Sequence, residues 1–115
     1  MPFDDSTPYE VDERTAERAV IRFAPICDHQ RLAEHEDELN SVVEQHAAVA
    51  CDMSETKMIA SDWLRWIARL AIKAEKAGTT FAVAGVNDIV SQTADLLGIK
   101  ESLTVVDSVE DVWSL

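Results

Sequence analysis

The stretch Ser61-Asp-Trp-Leu-Arg-Trp-Ile-Ala-Arg-Leu-Ala-Ile-Lys-Ala-Glu-Lys-Ala-Gly78, continued by Thr79-Thr-Phe-Ala-Val-Ala84, decides the fold. Its first part predicts a helix: Ser61 and Asp62 suit a helix start, the apolar pattern runs to Lys76, and Gly78 suits the left-handed position after a helix C-terminus. Its second part is short, uncharged and apolar, as expected of a buried strand. A helix feeding directly into a buried strand is half of a crossover unit.

Similar segments flank it on both sides. Ala47-Ala-Val-Ala-Cys51, closed by Asp52, reads as a central strand, and residues 52 to 60 as a loop. Before that strand, Asp28 precedes a polar segment in which Leu32, Leu39, Val42 and Val43 recur at roughly helical spacing, which predicts a helix over about 30 to 46. Tyr9 to Glu13 and Ala19 to Ala24 form a predicted opening β-hairpin, ended by Pro25. Downstream lie a turn at Gly85 to Asp88, a short helix over Ile89 to Leu97 closed by Gly98, and a short strand over Leu103 to Val106. Asp107-x-x-Glu110 then offers a capping-box-like start to a terminal helix carrying Val109, Val112 and Trp113. The order ββαβαβαβα predicts an α/β fold with several parallel strand pairs and right-handed crossovers. Residues 9 to 115 make one domain, and the first eight residues are expected to fray.

With 115 residues and 47% apolar side chains, the chain fills one core. The formal net charge of −12 disfavours nucleic acid and anionic membrane surfaces, because phosphate binding needs clustered Lys or Arg. It suits steering toward a basic face of another protein, and equally suits plain solubility. No apolar run is long enough for membrane insertion. The start Met-Pro-Phe-Asp-Asp-Ser-Thr-Pro lacks a secretory signal pattern, so a cytoplasmic location is expected, with Cys27 and Cys51 as free thiols.

Catalytic and cofactor motifs do not emerge. Gly78, Gly85 and Gly98 stand too far apart for a phosphate loop. His29, His35 and His46, with Cys27, Cys51 and Asp52, do not match metal-ligand spacing, so no metal and no cofactor is expected. The acidic run Glu34, Glu36, Asp37, Glu38 reads as a solvated helix face rather than paired catalytic carboxylates. Nothing resembles a nucleophile elbow around Ser61 and Asp62, which leaves a hydrolase as a remote third reading.

The helix over 61 to 77 carries two apolar sets, Leu64, Ile67, Ala68 and Ala71 on one side and Trp63, Trp66 and Leu70 on another. If the first faces the sheet, the Trp pair lies toward the rim, where aromatic anchors dominate interfaces. The competing reading packs both Trp rings on the helix over 89 to 97, with Trp63 nearer the exposed helix start. Ser61 also reads two ways: as an N-cap contributing about 1 kcal/mol, or as a phosphorylation switch at a helix N-terminus that tolerates phosphate.

Ile59-Ala60-Ser61-Asp62-Trp63-Leu64 and Val105-Val106-Asp107-Ser108-Val109-Glu110, together with the alternation of elements, resemble the STAS family, named for sulphate transporters and anti-sigma factor antagonists. The resemblance covers nearly the whole chain and includes Val49 to Met53 before the loop, Gly78, and Leu97-Gly98-Ile99, similar to the family's Thr-Gly-Leu. In the family's bacterial antagonists the loop reads Ile-Asp-Ser-Ser-Gly-Leu, and Ser61 matches the serine that a partner anti-sigma serine kinase phosphorylates. Ala60, Asp62 and Trp63 depart from that pattern.

The resemblance implies a central mixed β-sheet with about four helices packed against it. It also implies a non-catalytic anti-sigma factor antagonist-like module, which could oligomerise, docking to a regulator or serine kinase through Asp28, His29, Ala60, Ser61, Asp62, Trp63 and Trp66. Phosphorylation at Ser61 is expected to weaken that contact. The alternative is a switchless module that binds a small ligand or serves as a subunit of a lipid-transport complex.

Overall fold

The computed structural model describes residues 9–27 and 32–115, with Leu32 and Ala33 described by their backbone alone. The expected fraying of residues 1–8 and the candidate residues Asp28 and His29 lie outside the described residues. Five strands form the main sheet in the order β1 (Tyr9–Glu13), β2 (Arg18–Phe23), β4 (Ala48–Asp52), β6 (Thr80–Ala84) and β7 (Val105–Val106). β1 pairs with β2 antiparallel and every later pair is parallel, so the sheet is mixed as the alternation predicts. Because the strands advance across the sheet in one direction, crossovers of one hand place their helices on one face.

That face carries α1 (Glu36–Gln45), α2 (Ser61–Ala77) and α3 (Asp88–Leu96). Its core combines Ile21, Phe23, Val49, Cys51, Phe81 and Val83 from the strands with Leu39, Val43, Leu64, Ile67, Leu70 and Val90 from the helices. The opposite face is smooth: Val20, Ala50 and Ala82 are fully buried beneath Val112 of α4 (Val109–Val112). Farther along that face a charged row crosses the strands in register, Glu10, Arg22, Asp52. Arg22 reaches Glu10 at 3.4 Å and Asp52 at 3.6 Å.

Three boundaries differ from expectation. The segment read as a loop over 52 to 60 contains a two-residue strand, β5 (Met58–Ile59), which pairs in parallel with β3 (Ile26–Cys27) as a second small sheet. Two residues carry no measurable period, so this pairing leaves no local signal. The first helix opens as a 3-10 turn over Leu32–His35 and becomes α-helical at Glu36. The terminal capping box sits one residue later than predicted: the Ser108 backbone N–H donates to Asp111 Oδ2 at 3.2 Å.

Candidate docking site around Ser61

Residues 53 to 60 are held by hydrogen bonds from all sides, and these set where α2 begins. Met53 N–H donates to the Ala84 carbonyl at 2.9 Å, and Ser54 N–H to Asp52 Oδ1 at 3.0 Å. Thr56, only 1% exposed, donates its hydroxyl to the Ala24 carbonyl at 3.0 Å, satisfying a polar group that burial would otherwise penalise. Asn87 ties the same loop to α3: its Nδ2 donates to the Thr56 carbonyl, and its Oδ1 accepts from Val90 N–H, each at 2.8 Å. Ala60 N–H then donates to the Cys27 carbonyl at 2.7 Å, anchoring the residue before Ser61 to β3.

On this base Ser61 is the first residue of α2 and is exposed. The N-cap is Ala60, whose side chain has no oxygen and whose backbone is extended, so the capping role expected of Ser61 is not the one it plays. The carbonyl of Ala60 accepts from Leu64 N–H at 3.1 Å and starts the helix one residue earlier than a Ser61 cap requires. Asp62 is exposed in the first turn, where the helix dipole favours a carboxylate. Ala60 is half-buried.

The Trp pair corrects the sequence reading. Trp63 is 0% and Trp66 2% exposed, so neither lies at a rim and both apolar sets of α2 are covered at once. Trp63 meets Phe23 of β2 edge-on at 6.5 Å, Trp66 edge-on at 5.4 Å, and His35 at 6.3 Å. Phe23 lies on β2, His35 at the head of α1 and Trp66 one turn along α2 itself, whereas the packing alternative named the surface of α3. As direct contacts for a partner, Trp63 and Trp66 are therefore withdrawn.

Two residues absent from the sequence reading take their place. Ile26 is 56% and Met58 58% exposed, and they are register partners in the β3–β5 pair that leads into Ser61. Their sequence signal was faint: Ile26 stands between the predicted strand end at Pro25 and the polar segment after Asp28, and Met58 within the segment read as a loop. The face thus presents Ile26, Met58, Ser61 and Asp62.

The acidic run is exposed as predicted at Glu34 in the 3-10 turn and at Glu36 and Asp37 of α1, and Glu38 also accepts a hydrogen bond from the Tyr9 hydroxyl. Burial, reinforced by that hydrogen bond and the charge of Glu38, holds the Tyr9 phenol above its ordinary range. Both cysteines are buried, and the Cys27 thiol donates to the Ala24 carbonyl at 3.4 Å; burial and then the charge of Asp52 push the Cys51 thiol up. An enclosed apolar cavity beside Leu64, Val83 and Val90 measures about 20 Å³, room for a single water at most. Among the described residues, no group of three or more His, Cys, Asp or Glu is placed to hold a metal ion, and no helix is long and apolar enough to cross a membrane.

Comparison with solved structures shows the same fold at low identity. An anti-sigma factor antagonist from Mycobacterium paratuberculosis superposes with a TM-score of 0.77 at 18% identity, covering 99% of this chain and 97% of that one. The Bacillus cell fate determinant SpoIIAA in its phosphorylated form gives 0.71 at 10% identity, covering 92% and 97%. A murine Solute Carrier 26 family member A9 anion transporter gives 0.66 at 14% identity, covering 89% of this chain but 18% of the transporter. No curated protein matches the chain in sequence. A family model described as "Mlab, STAS domain" matches residues 11–107. The chain belongs to the STAS domain family.

Proposed function

We propose that this chain is a non-catalytic signalling module that docks onto a regulator of the anti-sigma-factor or serine-kinase kind through the face around Ser61, with phosphorylation of Ser61 weakening the contact. The observation that carries the reading is the exposed Ser61 hydroxyl at the first position of a 17-residue helix, on a chain segment that also exposes the Ile26–Met58 pair. An apolar pair beside polar groups is the composition of a small docking face. Phosphate at a helix N-terminus meets free backbone N–H groups, so it is accepted without unfolding α2. Its charge of about −1.5 to −2 would sit beside Asp62 and repel an acidic or apolar partner surface. The phosphorylated form named for SpoIIAA supports the same reading by analogy.

The test is to capture interacting proteins from the native cell, identify the regulator, and measure its affinity for the wild type, Ser61→Ala, Ser61→Asp and Ile26→Asp, with phosphopeptide mapping across residues 58 to 69. Ser61→Ala should bind as the wild type does, whereas Ser61→Asp and Ile26→Asp should each bind at least tenfold more weakly. Equal affinity of the two Ser61 variants, with no phosphate on Ser61 under any growth condition, overturns the switch. That outcome favours the alternative, a switchless module that binds a small ligand or serves as a subunit of a lipid-transport complex.

A further inference from the structure

The sheet ends at β1, and among the described residues no strand lies on its outer side. Alternation divides β1 cleanly: Tyr9, Val11 and Glu13 face the helical layer with their partners Phe23, Ile21 and Ala19, while Glu10 and Asp12 face the other side with Arg22 and Val20. Beside this edge runs a groove of about 300 Å³ between β1 and α1, lined by Tyr9, Val11, Val42, Glu13 and Glu38. The Tyr9–Glu38 hydrogen bond fixes one side of the groove, Val11 is half-buried, and Glu13 is exposed.

We propose that this edge takes up an extended basic segment of a partner protein as an added strand, with an apolar side chain over Val11 and Val42 and a Lys or Arg against Glu13. An edge strand offers unpaired backbone N–H and C=O groups, and adding a strand satisfies them while alternate side chains confer specificity. The charge pattern selects the occupant. Arg22 and Arg14 offset Glu10 and Asp12, but the groove side carries Glu13 and Glu38, so pairing with a second copy sets these carboxylates against their own kind, which is unfavourable across a strand pair. The chain's own first eight residues carry Asp4 and Asp5 and no basic side chain, and meet the same repulsion. A basic strand meets Glu13 and Glu38 on the groove side, whereas Glu10 and Asp12 on the other face already pair with Arg22 and Arg14. This inference is separate from the Ser61 face.

The probe is a fluorescent, N-acetylated decapeptide of repeating Val-Thr-Lys-Thr, which sets Val and Lys two residues apart on one face of a strand, with a Val-Thr-Glu-Thr peptide as control, titrated by anisotropy and followed by hydrogen exchange. Because the whole chain is acidic, Glu75→Arg on α2 reports the general charge effect. We expect binding of the basic peptide alone, new exchange protection within Tyr9–Glu13, at least tenfold weaker binding to Glu13→Arg, less than twofold change for Glu75→Arg, and wild-type binding by Ile26→Asp. Equal losses for Glu13→Arg and Glu75→Arg, or no added protection in β1, overturn the proposal. So does a tenfold gain in affinity on deleting residues 1–8, which would make the chain's own terminus the occupant.

Discussion

Gly85 lies so close to Ser54 that a Cβ built on the glycine would stand 2.9 Å from both Ser54 Cα and Ser54 Cβ. With a φ of +72°, Gly85 serves two needs at once, the turn after β6 and room for the loop after β4. That loop leads through β5 to Ser61. We therefore expect Gly85→Ala to lower stability by about 2–4 kcal/mol, from left-handed strain plus overpacking against backbone. Gly78→Ala, with a similar φ of +75° but nothing within 4 Å of the added Cβ, should cost about 1 kcal/mol from conformation alone. Urea unfolding of both variants checks this, and equal costs would remove the close approach as a cause.

Trp63 and Ser61 stand two residues apart and have opposite roles. Trp63→Ala removes a fully buried indole from between Phe23, Trp66 and His35 and should cost about 3–5 kcal/mol, with loss of the aromatic near-ultraviolet circular dichroism signal. Ser61→Ala leaves an exposed site whose cap is Ala60 and should change stability by no more than about 0.5 kcal/mol. A loss of a full N-cap contribution on Ser61→Ala would restore the capping role that the fold denies it.

Alkaline pH should unfold this protein through two neutral acids held above their ordinary values. The Cys51 thiol ordinarily titrates at 9.0 and the Tyr9 phenol at 10.0. In the folded chain both stay protonated beyond those points, so above them the unfolded state binds fewer protons and stability falls with rising pH. Below about pH 9 this contribution is fully present. Urea midpoints measured from pH 8 to 11 should decline more shallowly for Cys51→Ala and Tyr9→Phe than for the wild type. Parallel declines in all three would show that neither group drives the effect.

The alternation of helix and strand was legible because each element carries its own period or terminator: the apolar run of 79 to 84, the pattern from Ser61 to Lys76, the stop at Gly78. Ser61 was legible for the same local reason, as the polar residue at the head of that pattern. The chain alone thus determined an α/β sheet with parallel crossovers, the acidic surface, and the place of Ser61 at the start of α2. It could not determine which side of α2 is covered, because both sides are apolar and the covering groups, Phe23 and His35, come from β2 and the head of α1. Nor could it reveal the Ile26–Met58 pair, whose strands are two residues long and exist only because residues 25 to 27 and 57 to 60 are brought side by side. Local periodicity wrote the elements; only their packing decided that Trp63 is core and that Ile26 and Met58 face outward.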